Sequence, residues 1–327
     1  MLKDQILEEL KGSRDYVSGQ QLCTALGVSR AAVWKAVEKL KSEGYEIEAK
    51  RNRGYRLNPA ADVVSQAELD ELVPGTEFLR GAVFFPCIDS TNLEVKRRAE
   101  AGEPGPFLAV ADEQTAGRGR RGRSWDSPPG TGIWMSLLLR PGIKPENASM
   151  LTLVAALAVA EGIRRATGLE TGIKWPNDVV VGGRKICGIL TEMQTDLLEI
   201  SYVVIGIGIN VNTESFPEEI RETATSLKLC LGQTVRRSPV IAETWKAFGH
   251  YYSRFLETED LTGLKDSYEA MLVNRGREVL VLDPAKEFRG TAEGISGSGE
   301  LLVRLPDGTL REIRSGEVSV RGIYGYV

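Results

Sequence analysis

Apolar positions in the first sixty residues recur at helical spacing and then change to alternation. Leu2, Ile6, Leu7 and Leu10 fall three or four apart until Gly12-Ser13 breaks the run. A second helix is predicted from Ser18, a plausible N-cap, through Leu22 and Leu26. The turn Gly27-Val28-Ser29 leads to a third helix, with Ser29 as N-cap, through Ala32, Val33, Val37 and Leu40 to Gly44. Tyr45–Ala49 and Gly54–Leu57 alternate like strands around a basic turn. Three helices followed by a basic hairpin read as a winged helix-turn-helix over residues 1–60.

Between residues 65 and 272 the pattern mixes α and β. Strands are predicted at Ala82–Pro86, Phe107–Asp112, Ile133–Arg140, Asp178–Val181, Lys185–Gln194 and Ile200–Asn210. Helices are predicted at Thr91–Ala101, Asn147–Thr167 and Pro239–Glu257. The second of these is apolar on most faces and should be central and buried. Gly182-Gly183 joins consecutive strands as a hairpin, which argues for an antiparallel or mixed sheet over a Rossmann sheet. Residues 273–327 read as a small β domain: Glu278–Leu282, Phe288–Ile295, Leu301–Leu305, Thr309–Ile313 and Glu317–Val320 alternate with turns. Met150–Ala160 is the longest apolar stretch and is read as too short to span a bilayer.

Charge separates the first region from the rest. The whole chain of 327 residues carries a formal net charge of −4, but residues 1–60 carry +3, so the N-terminal region is the part suited to a polyanion. Four cysteines, far apart and without a CxxC pair, point to free buried thiols in a reducing cytoplasm rather than disulfides or zinc. The start of the chain has no signal-peptide pattern. His250 is the single histidine and lies in an aromatic helical stretch, which fits a packed or surface side chain better than a catalytic one. No metal site is predicted.

Four clusters carry candidate chemistry. Gly117–Arg123 holds four arginines, three glycines and no carboxylate. Forked cations on a backbone that permits close approach suit phosphate oxygens. Such a loop repels itself and should be mobile until an anion neutralises it. Lys174-Trp175-Pro176-Asn177-Asp178 offers a cation, an amide and a carboxylate at a turn, though a plain β-turn is the alternative. Lys185, in Arg184–Leu190, begins an apolar strand and faces either solvent or a polar site. In Asp89-Ser90-Thr91-Asn92, Thr91 and Glu94 match a capping box, and a helix N-terminus favours carbonyl or anionic oxygens.

Together with Gly206-Ile207-Gly208-Ile209-Asn210-Val211-Asn212, these clusters resemble biotin protein ligases, and the N-terminal unit resembles that of the bifunctional kind that also represses biotin genes. The resemblance covers essentially the whole chain. It implies an α+β, multidomain fold with a winged helix-turn-helix, a central ligase domain like the class II aminoacyl-tRNA synthetases and a C-terminal SH3-like barrel. It implies ATP and biotin as substrates, Mg2+ with the nucleotide, and a biotin carboxyl carrier protein as acceptor. By resemblance, Ser90, Thr91, Asn92, Gln114, Arg118, Gly119, Arg120, Lys185 and Gly188 bind biotin. Arg120, Arg121, Arg123, Trp125, Lys174, Asn177, Asp178 and Asn210 bind ATP, and Lys185 and Arg118 carry the catalysis.

Operator DNA is the implied second partner. Ser29, Arg30 and Lys35 sit on the presumed recognition helix, and Lys50, Arg51 and Arg53 on the wing. The small positive charge favours two copies on paired half-sites, hence a ligand-promoted homodimer with no membrane partner. A lipoate ligase and a non-catalytic ligand-sensing repressor are the rival readings. The glycine-arginine loop and the attached winged helix favour biotin, and Lys185 with the complete arginine loop favours an enzyme.

Overall fold

A computed structural model describes residues 1–196, 199–282, 287–314, 319–322 and 326–327. The chain divides into two compact units. One comprises Met1–Glu68 with Arg236–Ser238, the other Leu69–Val235 with Pro239–Val327.

The first unit contains α1 (Leu2–Lys11), α2 (Gly19–Leu26), α3 (Arg30–Ser42), β1 (Ile47–Lys50) and β2 (Gly54–Leu57). Ser18 caps α2 in a complete capping box with Gln21, and Ser29 caps α3 by accepting from the Ala32 amide. Gly27 closes α2 at φ 65°, a left-handed conformation that glycine adopts without steric cost. The apolar faces meet in one core of Ile6, Leu7, Leu10, Leu22, Val33, Val37 and Leu40, joined by Tyr45 and Ile47. Each such side chain contributes roughly 1.5–3 kcal/mol by leaving water. β1 and β2 pair antiparallel from Ile47↔Leu57 to Lys50↔Gly54. Gly54 is required there, because a Cβ would lie 2.1 Å from the Val17 carbonyl oxygen.

The second unit begins within α4 (Gln66–Leu72) and continues through β3 (Gly81–Phe85), α5 (Thr91–Glu100), β4 (Phe107–Ala111), β5 (Gly132–Leu139) and α6 (Leu151–Thr167). Next come β6 (Gly172–Lys174), β7 (Asp178–Val181), β8 (Arg184–Asp196), β9 (Glu199–Asn210), α7 (Leu227–Leu231), α8 (Arg237–Thr258) and α9 (Lys265–Met271). Seven strands form one mixed sheet in the order β3-β4-β5-β9-β8-β7-β6, parallel only between β3 and β4. α5 packs on β4, β5 and β9, and α6 on β6 to β9. Every position of β5 is buried, so both faces of the sheet are covered there.

The described strands β10 (Glu278–Leu282), β11 (Phe288–Ile295), β12 (Leu301–Arg304), β13 (Leu310–Ile313) and β14 (Ser319–Gly322) form a five-stranded antiparallel sheet, in the order β13-β12-β11-β10-β14. Of the strand expected at Glu317–Val320, the first two residues lie outside the described residues.

The mixed sheet and the Gly182-Gly183 hairpin follow the sequence pattern, with both glycines at positive φ (56° and 76°). Three expectations need correction. The region expected as one helix from Asn147 begins as a 3-10 turn, Pro145–Met150, and the combined segment Pro145–Thr167 is long and apolar enough to cross a membrane by length and composition. It is instead the core helix, with Leu151 to Ile163 almost wholly buried. Of the four thiols only Cys187 is buried; Cys87 is exposed and Cys23 and Cys230 are intermediate. Thr91 is not an N-cap: the cap is Ser90, whose side chain makes no capping bond. The Thr91 hydroxyl is drawn instead to Gln114 and Ser136.

Candidate functional site

At the N-terminus of α5 a chain of short polar side chains crosses the sheet. The Thr91 amide and hydroxyl both donate to Gln114 Oε1, at 2.9 and 3.1 Å. Thr91 Oγ1 lies 2.7 Å from Ser136 Oγ, which donates to Asn92 Oδ1 at 2.6 Å. Asn92 Nδ2 donates to Glu192, which also pairs with Lys96 at 2.6 Å. At the other end Gln114 Nε2 donates to Ser127 Oγ. Ser136 is wholly buried and Ser90, Thr91 and Asn92 nearly so, so each side chain's orientation depends on its neighbours in the network. Burial alone would raise the Glu192 pKa, but its bonds from Lys96 and Asn92 outweigh that, and the carboxyl sits below its ordinary value.

The floor beside this network is glycine. A Cβ on Gly206 would lie 2.1 Å from Asn92 Oδ1; on Gly188 and Gly208 it would meet the Trp125 indole at 2.9 and 2.6 Å. Asn92 and Trp125 therefore lie directly on the backbone of β8 and β9. The cavity between them is lined by Ser90, Thr91, Asn92, Gln114, Arg118, Trp125, Asn177 and Gly188, among others, and holds about 40 Å³ of free space. Trp125 Nε1 is buried against Gly208 with no hydrogen-bond partner among the described residues.

The arginine segment is a small hairpin. Trp125 N donates to Gly117 O, Arg118 bridges Ser124, and Gly119 N donates to Arg123 O. Arg121, at φ 59°, and Gly122, at φ 71°, turn the tip. Gly117 permits the closure, since a Cβ there would lie 2.3 Å from Trp125 O. Arg118, Arg121 and Arg123 are exposed, whereas Arg120 is half-buried and donates to Asn177 Oδ1 at 2.7 Å. Burial lowers the Arg120 pKa, with Arg121 acting in the same sense and Asp178 against it. Arg120 and Arg121 also line a second, roomier cavity of about 440 Å³ that shares Asn177, Ile189 and Leu190 with the first.

The Lys174–Asp178 turn joins β6 to β7, and Lys174 and Asp178 are direct partners in that pairing, so their side chains share a face. Lys185 Nζ reaches Asp178 Oδ1 at 2.6 Å and stands 5.1 Å from the Trp125 ring centroid. The turn is held from behind: Trp175 N donates to Asn274 Oδ1 and Trp175 Nε1 to Gly299 O. A small molecule with a carbonyl head, a flat body and an anionic tail would find donors, a glycine floor and then cations in that order. Among the described residues no group of three or more His, Cys, Asp or Glu side chains could hold a metal ion.

The structure thus gathers Ser90, Thr91, Asn92, Gln114, Arg118, Trp125, Asn177 and Gly188 around one cavity, with Lys185 and Asp178 at its edge. Arg120, Arg121, Arg123, Lys174 and Asn210 lie outside that lining, and the Asn210 amide donates to the Thr225 carbonyl. Gly119 takes part through its backbone. Ser127, Ser136, Glu192 and Tyr326 were not found from sequence. In the first unit Ser29, Arg30, Lys35, Lys50, Arg51 and Arg53 are all exposed, on α3 and around the β1–β2 turn. Ser29 serves as helix cap, Arg30 bonds Gln20, and Arg53 pairs with Asp15 at 3.0 Å while stacking on Tyr16. Trp34, 60% exposed beside Lys35, is an addition to that surface.

Residues 84–210 match the biotin/lipoate A/B protein ligase family, residues 3–56 an HTH domain, and residues 276–321 the biotin protein ligase C-terminal domain. The chain is 39% identical to the bifunctional ligase/repressor BirA of Bacillus spizizenii, across 97% of this chain and 98% of that one. It is 30% identical to the protein of the same name from Escherichia coli, across 95% of each chain. Among solved structures, the biotin protein ligase of Aquifex aeolicus in complex with biotin and ATP is 34% identical with a TM-score of 0.66, over 74% of this chain and 99% of that one. With the HTH unit, ligase sheet and C-terminal sheet all matched, the chain belongs to the biotin protein ligase family, in its bifunctional ligase/repressor branch.

Proposed function

We propose that this protein joins biotin to ATP, releasing pyrophosphate, and passes biotin from biotinyl-5′-AMP to a lysine of a biotin carboxyl carrier protein in the cytoplasm. The observation that carries this is the continuity from the Thr91–Gln114–Ser136 network, across the glycine floor, to Arg118 and Lys185. Ser90, Thr91, Asn92 and Gln114 take the ureido head of biotin, and Gly188 lets its body lie against β8. A biotin carboxylate oxygen attacks the α-phosphorus and the bond to pyrophosphate breaks. Lys185, turning from Asp178, offsets charge on the phosphoryl oxygens, and Arg118 with Gly119 and Arg120 covers the mixed anhydride.

Arg121, Arg123, Lys174, Asn177 and Asp178 serve the polyphosphate, and Trp125 the adenine. A magnesium ion accompanying the nucleotide would offset polyphosphate charge, with Asn177 and Asp178 the oxygen groups at hand to meet it. In the second step the acceptor amine attacks the acyl carbon and AMP leaves. Asn210 keeps only a supporting place here, holding the loop at Thr225. The C-terminal sheet closes as an SH3-like barrel.

The same intermediate regulates transcription: the loaded protein forms a homodimer whose two helix-turn-helix units occupy paired operator half-sites through Arg30, Lys35, Lys50, Arg51 and Arg53. Pyrophosphate release that requires both biotin and ATP tests the enzyme. Release with lipoate in place of biotin, or none with either, would overturn it. Equal operator affinity with and without biotinyl-5′-AMP at fixed salt would overturn the switch.

A further inference from the structure

Lys174 is a nearly buried cation beside the turn that meets the nucleotide, only 6% exposed. The ring of Tyr326 faces it, with Nζ 3.4 Å from the centroid, the geometry of a cation–π contact in a partly desolvated place. The hydroxyl of the same residue donates to Asp178 Oδ2. One aromatic side chain therefore touches both charges that face each other across β6 and β7. The neighbouring residue supports the placement: Val327 lies 3.3 Å from where a Cβ on Gly183 would stand, at the turn that leads into Lys185.

The other oxygen of Asp178 holds Lys185 at 2.6 Å. For Lys185 to meet an incoming phosphate it must leave that carboxylate. An Asp178 free to rotate would follow the ammonium towards the phosphate, where two anions repel. A hydroxyl fixed on Oδ2 keeps the carboxylate in place while Lys185 turns away.

We infer that Tyr326 is a positioning residue of the adenylation step, its ring holding Lys174 for the polyphosphate and its hydroxyl holding Asp178 back from it. This rests on the reading of Lys174, Asp178 and Lys185 as nucleotide-side groups.

The test is steady-state pyrophosphate release by the full chain, with biotin affinity and thermal unfolding measured alongside. Tyr326→Ala should raise the KM for ATP by roughly tenfold, with biotin affinity within about twofold of the unmodified protein. Tyr326→Phe keeps the ring and should restore most of the ATP KM, while kcat stays about three- to tenfold low for want of the hydroxyl. Adding Asp178→Asn to Tyr326→Phe should cost less than the two separate losses combined, because both act on one contact.

ATP KM and kcat near normal in Tyr326→Ala would overturn the inference. So would equal losses for biotin and ATP, which mark a merely structural role. If Lys174→Ala and Asp178→Ala also leave ATP use unchanged, the nucleotide reading of the turn falls and the inference with it. If those two are impaired and both Tyr326 variants are not, the inference alone falls.

Discussion

Arg118 lines the small cavity and Lys185 stands at its edge, and the proposed function gives them separable duties. Lys185→Ala should slow adenylation by about 10²–10³-fold in single-turnover pyrophosphate release, since a cation aimed at developing phosphoryl charge is lost. A normal rate would remove Lys185 from the mechanism. Arg118→Ala should instead let the intermediate escape, seen as at least about tenfold faster dissociation of biotinyl-5′-AMP. Gly206→Ala probes the floor: its Cβ would fall 2.1 Å from Asn92 Oδ1, so Asn92 must give up Ser136. Biotin affinity should drop by at least about tenfold in calorimetry with the protein still folded; unchanged affinity would show that Asn92 has no part in the pocket.

Residues of this kind divide by how far their meaning travels along the chain. The arginine hairpin is legible because glycine and arginine fill the seven positions Gly117–Arg123, and Ser18 and Ser29 because a cap acts three residues away. Thr91 and Glu94 matched the same capping signal, yet Gln114 competes for Thr91 from 23 positions away. Ser136 and Glu192 are reached only across separations of 44 and 100 residues, and a serine in a run of apolar residues or a glutamate near a strand end carries no local mark of a site.

At the level of elements, α5 is tied down at its own start. Asp89, just before the helix, accepts two bonds from Arg97 at 2.9 Å, and that guanidinium, with the Ser90 amide, lowers its pKa from 3.8 to about 2. Because the folded value lies below the unfolded one, the contribution is full above pH ~4 and fades as pH falls toward 2. The carboxylate is 41% exposed, so solvent limits the contribution to about 0.5–1 kcal/mol. Asp89→Asn should therefore be less stable by that amount in denaturant titrations at pH 7 and indistinguishable near pH 2. A difference that persists at low pH would mean that packing, not ionisation, is at stake. The α5 helix was readable from sequence as Thr91–Ala101, whereas short elements such as β6, α7 and α9 were not, being too brief to show a period.

Across the whole molecule, charge is divided between regions, positive on the helix-turn-helix unit and net negative elsewhere. Operator binding should weaken linearly with the logarithm of salt concentration, and Arg51→Ala should reduce that slope by about one counterion for all sequences alike. Trp34→Ala should instead weaken the cognate operator more than random DNA, since an exposed indole on α3 can meet base edges or sugars but releases no ions. Equal losses on both DNAs would assign Trp34 to packing. None of this division was visible in the overall charge of −4; it emerged only when the two regions were counted separately.

The support of Trp175 also sets an order in time. Its amide and indole reach Asn274 and Gly299, 99 and 124 residues further on, and Asp178 meets Tyr326 across 148. During synthesis the turn leaves the ribosome long before the groups that fix it. With translation adding about 5–20 residues per second, the sheet has several seconds to fold before its nucleotide side can be completed. An unfinished chain thus presents the Lys174–Asp178 turn before the residues that hold it in the folded protein have been made.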